Sequence, residues 1–237
     1  MPEEIEKEAR DVESEESPEK AGRVLDEFDW EDSEGKRKKA VLRYAKGEDL
    51  DGIKNVEMDK WRFRGETYGD EFNAQREWTQ ENTDKLREDL NDSRKSFLVL
   101  TVDNEVVGHI EFTKSFNPSD KTVYVDTITV MQKYNRQGFA TGLLERATEE
   151  AKKSFNAEHI SLGTQEENKS SNILYDKFGF EEVSKELSGR KWKWVDEEGK
   201  ERTDCYDLKL MLDIKKWEEQ WKGKKGKWKE KSKDKKE

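Results

Sequence analysis

Residues 130–144 read VMQKYNRQGFATGLL, and this stretch decides the fold of the chain. A strand rich in β-branched residues ends at Val130, a polar turn with Gly138 follows, and a helical pattern then opens on small residues. The first amides of a helix lack acceptors within the helix and lie at the positive end of its dipole. With Arg136 beside it, the turn has the chemistry of an anion-binding site. A glycine turn that only caps a helix shows the same pattern, so this stretch alone does not establish that the turn binds a ligand.

A second pattern lies downstream, where residues 168–180 read NKSSNILYDKFGF. Asn168 precedes Tyr175 by seven residues, and Gly179 ends the helical pattern just before a new strand. Taken singly, Asn168 is a suitable helix cap and Tyr175 a suitable core aromatic with its hydroxyl at the edge. The interest of these residues therefore lies in their combination with the glycine turn upstream.

Together the two patterns resemble those of the GNAT N-acetyltransferase superfamily. The segment 135–140, NRQGFA, is similar to that family's (Arg/Gln)-x-x-Gly-x-(Gly/Ala) pyrophosphate motif. The segment 168–180 is similar to its N-x-x-A-x-x-L-Y-x-x-x-G-F motif, and the resemblance covers roughly residues 38–212. Asn135 stands where Arg or Gln is usual, and Ser171 replaces the usual Ala. Because the loop binds mainly through backbone amides, the change at Asn135 should weaken binding rather than abolish it.

Working outward from these motifs, the sequence predicts strands and helices in an order typical of a mixed sheet. The predicted strands are 40–44, 96–102, 106–113, 122–131, 159–163, 192–195 and 204–212, with a hairpin loop at 196–199. The predicted helices start near residue 47 and cover 82–90, 141–155 and 170–178, and 57–82 reads as mixed helix and loop. This order predicts an α/β fold, a central mixed sheet of about seven strands with helices on both faces. The resemblance implies a GNAT-like fold splayed between strands four and five, 122–131 and 159–163, with a bulge in strand four.

Composition divides the chain into three parts. Of its 237 residues 43% are charged and 31% hydrophobic, which is too polar for a chain folded from end to end. Residues 1–35 hold 15 acidic and four basic residues, whereas residues 213–237 hold 11 lysines and six acidic residues. We expect an acidic, largely disordered extension over 1–37, the acetyltransferase domain over 38–213, and a basic Lys/Trp-rich tail over 214–237.

Cys205 is the single cysteine, which excludes an intrachain disulfide and a cysteine-based zinc site within one chain. No metal is implied by the resemblance. The sequence has no secretory signal and no apolar run of membrane-spanning length, so a soluble, cytoplasmic protein is expected.

The resemblance implies an N-acetyltransferase that moves an acetyl group from acetyl-CoA, its co-substrate, to a primary amine by direct attack in a ternary complex. The backbone of strand four would hold the pantetheine arm, and the amides of the glycine turn would hold the pyrophosphate. Asn168 would contact pantetheine, and Tyr175 would protonate the departing thiolate. The implied donor-binding residues are Ile128, Thr129, Val130, Arg136, Gln137, Gly138, Phe139, Ala140, Thr141, Asn168 and Tyr175.

The general base is assigned to Asp126, which lies on the strand face of Ile128 if no bulge intervenes. The alternative base is Glu111 or a chain of waters. In that case Asp126 would bind a substrate ammonium or would merely be a carboxylate at the end of a strand. His109 and His159 are interpreted as structural.

Several alternatives stay open at this stage. A non-catalytic acyl-CoA-binding or interaction module on the same fold is the other function class. The acceptor is a small-molecule amine, a protein N-terminus or a lysine, and a homodimer is left open. No membrane partner is expected. The basic tail, with Trp217, Trp221 and Trp228 among its lysines, suits RNA or an anionic surface, but a short helix with Trp217 and Trp221 on the core and a solvated end is simpler.

Overall fold

A computed structural model describes residues 20–32, 34–68, 77–188, 194–195, 200–202 and 205–230. The predicted hairpin loop 196–199 lies outside the described residues. The strands are β1 (Val24–Glu31), β2 (Arg37–Tyr44), β3 (Lys95–Val102), β4 (Glu105–Lys114), β5 (Thr122–Val130), β6 (His159–Gln165), β7 (Glu181–Leu187), β8 (Trp194–Val195), β9 (Glu201–Arg202) and β10 (Tyr206–Asp213). The α-helices are α1 (Leu50–Tyr68), α2 (Gln80–Asn91), α3 (Phe139–Phe155), α4 (Lys169–Phe178) and α5 (Ile214–Gln220).

Eight strands form one mixed sheet in the order β1-β2-β3-β4-β5-β6-β10-β7. Neighbouring strands run antiparallel except β5 and β6, which are parallel and are connected through α3. The predicted α/β architecture is therefore confirmed, with one more strand in the sheet than the seven expected. β1 and β7 form the two edges of the sheet.

The helices cover both faces of the sheet, as predicted. On one face, α3 buries Leu143, Leu144, Ala147 and Ala151 in the main core. On the other face, Ile53 and Val56 of α1 pack with Phe97, Val99 and Val106. The apolar positions of α3 recur at helical spacing, which is why the sequence located this helix. The helix begins two residues earlier than predicted, directly after the left-handed Gly138, and its first residue, Phe139, is buried.

A short clamp fixes the entry into α1. Asp49 is buried at the end of the 3₁₀ turn Gly47–Asp49, and its carboxylate receives two hydrogen bonds from the Arg43 guanidinium at 2.7 and 2.8 Å. The same carboxylate accepts from the Lys46 amide at 2.8 Å. The hydrogen bond with Asp49 raises the pKa of Arg43, although burial opposes this. Because Arg43 belongs to β2, the clamp ties the start of α1 to the sheet.

The sheet begins earlier in the chain than the sequence indicated. Leu25 and Phe28 of β1 pack against the main core, and Trp30 is buried beside Tyr134 and Phe139. Glu27 and Asp29 between them are exposed, whereas Asp26 is half-buried and pairs with Arg146 of α3, so a charge-rich sequence still forms an edge strand. The largely disordered extension predicted for 1–37 therefore needs correction over Val24–Glu31, which folds as part of the sheet.

The predicted final hairpin is wrong in its pairing. β10 pairs with β6 on one side and with β7 on the other, whereas β8 pairs with β9 in a separate two-stranded sheet. The strand expected after Gly179 is β7, which had no predicted bounds because its sequence, EEVSKEL, is exposed along almost its whole length and lacks the alternation of a half-buried strand.

The C-terminal residues continue to pack after β10. Asp213 caps α5 through the Lys216 amide at 3.0 Å, and Trp217 is buried against Phe178. The ring of Trp221 also lies on Phe178, with 4.8 Å between centroids. These contacts agree with the simpler interpretation of this segment. The solvated end expected beyond them is corrected, because Trp228 is only 3% exposed.

In the described part of the chain, no helix is both long and apolar enough to cross a bilayer.

Candidate active site

The parallel strands at the centre of the sheet separate partway along their length. Pairing between β5 and β6 extends over four positions, from Thr122 opposite His159 to Val125 opposite Leu162. Beyond that point β5 follows β4, and β6 follows β10. An open wedge therefore lies between residues 126–130 and residues 163–165. The predicted splay between the fourth and fifth strands of the sequence analysis is confirmed.

A β-bulge in β5 lies where the wedge opens. Glu111 of β4 is opposite Thr127, but its neighbour Phe112 is opposite Val125, so Asp126 is the inserted residue. The bulge changes the alternation of the strand. Val125 before it and Ile128 after it both pack toward the main core. Asp126 therefore does not share the face of Ile128, and the alternation assumed for an unbulged strand is corrected.

The glycine turn continues from β5 into α3. The 3₁₀ turn Gln132–Tyr134 leads to Arg136, whose φ is 59°, and to Gly138, whose φ of 86° is in the left-handed region that favours glycine. The Gly142 amide donates to the Gly138 carbonyl at 3.0 Å and so closes the first turn of the helix. The amides of residues 139–141 precede this bond, at the positive end of the α3 dipole.

The second motif forms the other wall of the wedge. Asn168 lies directly before α4, three residues after β6 ends, and its amide donates to the Gln165 carbonyl at 3.0 Å. The Asn168 side chain makes no capping hydrogen bond, so it does not serve as a simple helix cap. The Asn172 amide group instead fastens α4 to the carbonyls of Gln165 and Glu166, at 2.9 and 3.1 Å.

Tyr175 lies two turns into α4 and is 6% exposed. Its ring meets that of Phe180 edge to face, with centroids 5.7 Å apart. Burial raises the pKa of the Tyr175 hydroxyl to about 12, with a hydrogen bond to Ser171 acting in the opposite direction. The hydroxyl therefore keeps its proton at neutral and mildly alkaline pH.

Two carboxylates lie near the bulge on the face that α1 and α2 cover. Asp126 is exposed and accepts a hydrogen bond from the Thr113 hydroxyl. Glu111 is paired with Lys95 at 2.6 Å. Burial raises the pKa of Glu111, Lys95 opposes the rise, and the negative charge of Asp126 adds to it. The two carboxylates therefore influence each other electrostatically.

A buried polar network behind β5 was not predicted. Glu57 of α1 lies 2.9 Å from His109 Nε2, accepts from the Thr129 hydroxyl at 3.0 Å, and pairs with Lys60. Burial alone would favour the protonated carboxyl, but the charge of Lys60 and the hydrogen bond to His109 lower the pKa of Glu57. The sequence predicted mixed helix and loop over 57–82, so it did not indicate that Glu57 and Lys60 lie on one helix against β4 and β5.

The structure thus brings the predicted residues to two walls of one wedge. Ile128, Thr129 and Val130 lie on the unpaired part of β5, and the residues of the glycine turn follow directly, whereas Asn168 and Tyr175 lie on the wall formed by β6 and α4. The side chain of Thr129 points to Glu57, which leaves its backbone as the part available to a ligand.

Across the described residues, no group of three His, Cys, Asp or Glu side chains is placed to hold a metal ion.

Comparison with known proteins gives the same picture. A profile of the acetyltransferase (GNAT) family matches residues 53–180. The chain is similar to an N-alpha-acetyltransferase of Sulfurisphaera tokodaii, with 34% identity over 104 residues, which are 40% of this chain. The match spans 62% of that relative's own length.

Solved structures share the fold. An N-acetyltransferase from Staphylococcus aureus superposes with a TM-score of 0.57 at 22% identity, covering 74% of this chain and 98% of that chain. A spermidine N-acetyltransferase from Vibrio cholerae, in complex with CoA and spermine, superposes with a TM-score of 0.56 at 18% identity, covering 75% and 97% of the two chains.

Proposed function

The chain belongs to the acetyltransferase (GNAT) family, and from this premise we propose that it transfers an acetyl group from acetyl-CoA to a primary amine. The observation that carries the proposal is the wedge between β5 and β6, with a helix starting at each of its walls. In open α/β sheets, ligands bind beyond the carboxyl ends of parallel strands. This opening suits an anionic, extended thioester. The wedge presents helix N-termini, which bind phosphates, and an unpaired strand edge, which can pair with an amide-containing arm.

The residues present fit such a donor. Gly138 has no side chain to block an approach to the turn, and the amides of residues 139–141 lie ahead of the first helical hydrogen bond. The backbone of Ile128, Thr129 and Val130 would pair with the pantetheine amides as an added strand would. Arg136, Gln137, Phe139, Ala140 and Thr141 would hold the pyrophosphate with Gly138, and Asn168 would contact the pantetheine from the opposite wall.

The reaction forms an N–C bond as the C–S bond of the thioester breaks, directly within a ternary complex. A base takes a proton from the attacking amine, and Tyr175 gives its proton to the departing thiolate. A neutral, buried hydroxyl suits this role because it can donate at physiological pH. Positioning supplies much of the acceleration, since a thioester is already activated.

We propose the α-amino group of a polypeptide as the acceptor. The similarity to an N-alpha-acetyltransferase supports this class over a lysine side chain or a small polyamine. The other function class, a non-catalytic acyl-CoA-binding module, has no need for a proton donor at the position of Tyr175.

The test is release of free CoA thiol from acetyl-CoA against a panel of amines. We expect turnover with peptides whose N-terminus is free, and none with the same peptides blocked at the N-terminus but carrying a lysine. Mass spectrometry of the product should place the added acetyl group on the first residue. Binding of acetyl-CoA without thiol release on any amine would instead establish the non-catalytic module.

We assign the base to Asp126, because it is exposed at the bulge whereas Glu111 is committed to Lys95. Asp126→Asn is expected to lower kcat/KM at least ~100-fold at neutral pH, since a positioned base typically contributes 10²–10⁴-fold. The measurement is the pH profile of kcat/KM for Asp126→Asn and for Glu111→Gln.

The direction in which the acid limb of the pH profile moves tells which of the two carboxylates is the base. Removing the negative charge of Asp126 removes one cause of the raised pKa of Glu111, so that pKa should fall in Asp126→Asn. If Glu111 were the base, Asp126→Asn would stay active and the acid limb of its profile would move to lower pH. That outcome would transfer the role from Asp126 to Glu111.

A further inference from the structure

The C-terminal residues cross the outer surface of α3. We call residues 221–230 the C-terminal strap. It leaves α5 beside Phe178 and reaches the opposite edge of the domain, where the ring of Trp228 meets Phe28 of β1 edge to face with centroids 5.0 Å apart. The strap lies outside residues 53–180, which the family profile matches.

The strap touches α3 at its first turn. A Cβ atom added to Gly142 would lie 2.5–2.6 Å from three ring atoms of Trp228, a distance that such atoms essentially never show. The indole therefore packs directly on the backbone of Gly142. The amide of this residue donates to the carbonyl of Gly138, within the glycine turn.

Polar contacts hold the strap in register with α3. The Gly226 amide donates to both carboxylate oxygens of Glu145, at 2.9 and 3.2 Å, and Gly226 has a left-handed φ of 75°. Lys225 pairs with Glu149 at 3.0 Å, and Lys229 pairs with Asp26 of β1. Glu145 is fully buried beneath this crossing. A solvated tail would leave these carboxylates without their lysine and amide partners.

We infer that the strap is a positioning element for the acetyl-CoA donor, in which Trp228 fixes the first turn of α3 through Gly142 and thereby the phosphate-binding amides. This inference rests on the proposed function. Trp228 is a positioning residue and not a catalytic one, because it acts on the turn through a packing contact. Pre-organising a binding turn raises affinity, since the ligand no longer has to order that turn itself.

The first test measures the Kd for CoA by calorimetry in Trp228→Ala, Trp228→Phe and the wild type. We expect Trp228→Ala to raise the Kd for CoA and the KM for acetyl-CoA about 10-fold, within the usual range of coupling between sites. The kcat at saturating acetyl-CoA and the KM for the acceptor peptide should be unchanged, and Trp228→Phe should be intermediate. Calorimetric stoichiometry separates this effect from a loss of folded protein.

Trp221→Ala is the matched control. It removes an indole from the same segment, but that indole packs on Phe178 of α4 and not on the first turn of α3. The Kd for CoA should therefore stay at the wild-type value even though a comparable ring has been lost.

The second test uses Gly142→Ala. The added methyl group cannot coexist with the docked indole, so this variant should weaken CoA binding as Trp228→Ala does. In the double variant the methyl group occupies space that the indole has left. Binding should then be no weaker than in Trp228→Ala alone, a non-additivity that two unrelated defects would not show.

Linkage supplies a third test on the wild-type protein. If docking of the strap favours CoA, CoA must favour docking of the strap by the same factor. Saturating CoA should therefore slow tryptic cleavage after the strap lysines about 10-fold. The inference is overturned if folded Trp228→Ala binds CoA with the wild-type Kd, if the two variants are additive, or if CoA leaves the cleavage rate unchanged. Failure of the wild type itself to bind CoA would instead overturn the proposed function.

Discussion

Replacement of Tyr175 by phenylalanine is expected to lower kcat about 100-fold, because a positioned general acid typically contributes 10²–10⁴-fold. The ring of Phe would keep the edge-to-face contact with Phe180, so the fold and the Kd for CoA should be retained. Only the proton donor for the thiolate is lost. The measurement is steady-state turnover with saturating acetyl-CoA and peptide, together with a thermal melt and a CoA titration.

The pH dependence of this effect has a definite sign. Burial raises the pKa of Tyr175 to about 12, so the hydroxyl is protonated throughout the range in which an enzyme is usually assayed. The ratio of wild-type to variant kcat should therefore be constant from neutral pH to about pH 10. Tyr124→Phe is the control, since its hydroxyl contacts Asp120 at 3.3 Å at the far end of β5. Equal turnover of Tyr175→Phe and the wild type at every pH would remove Tyr175 from the mechanism.

Replacement of Asp49 by alanine is expected to lower the free energy of unfolding by about 3–5 kcal/mol. The Arg43 side chain is only 13% exposed, and the variant would leave its guanidinium buried without the carboxylate that receives two of its hydrogen bonds. The Lys46 amide would lose its acceptor as well. Urea denaturation at equilibrium, followed by circular dichroism, measures the change.

Two further variants show that the loss comes from the uncompensated charge. Arg43→Met combined with Asp49→Leu removes both charges and should recover most of the stability, as replacement of buried pairs by apolar residues often does. Glu34→Ala breaks an ion pair whose side chains are each 70% exposed, and it should leave the midpoint nearly unchanged. A midpoint for Asp49→Ala equal to that of Glu34→Ala would mean that the clamp contributes little to stability.

Much of the fold was readable because local patterns and the two motifs agree. The apolar spacing of α3, the β-branched run of β5 and the strand between the motifs each follow from residue order. The splay was implied by the resemblance to the GNAT family, and the early end of the β5–β6 pairing confirms it. The positions of the predicted site residues on two facing walls follow from the same order of elements.

The remaining features depend on contacts between distant parts of the chain. Half of the residues of β1 are acidic, and the strand joins the sheet through its pairing with β2 and the packing of Trp30 against Tyr134 and Phe139. The face on which Asp126 lies depends on one inserted residue in the pairing with β4. Trp228 is a lone aromatic among lysines, and its pocket is created by the absence of a side chain at Gly142. Neither composition nor periodicity reports such pairings.

The two edge strands have a consequence for self-association. β1 reads VLDEFDWE and β7 reads EEVSKEL, so each exposed rim of the sheet carries an excess of carboxylates. An unpaired strand is ordinarily a template on which further copies aggregate, and charged residues prevent this. If two molecules met edge to edge, through β1 or through β7, the carboxylates of the two rims would lie close together and repel each other. The carboxylates on both rims thus disfavour the addition of a further molecule's strand to the eight strands that the described residues form.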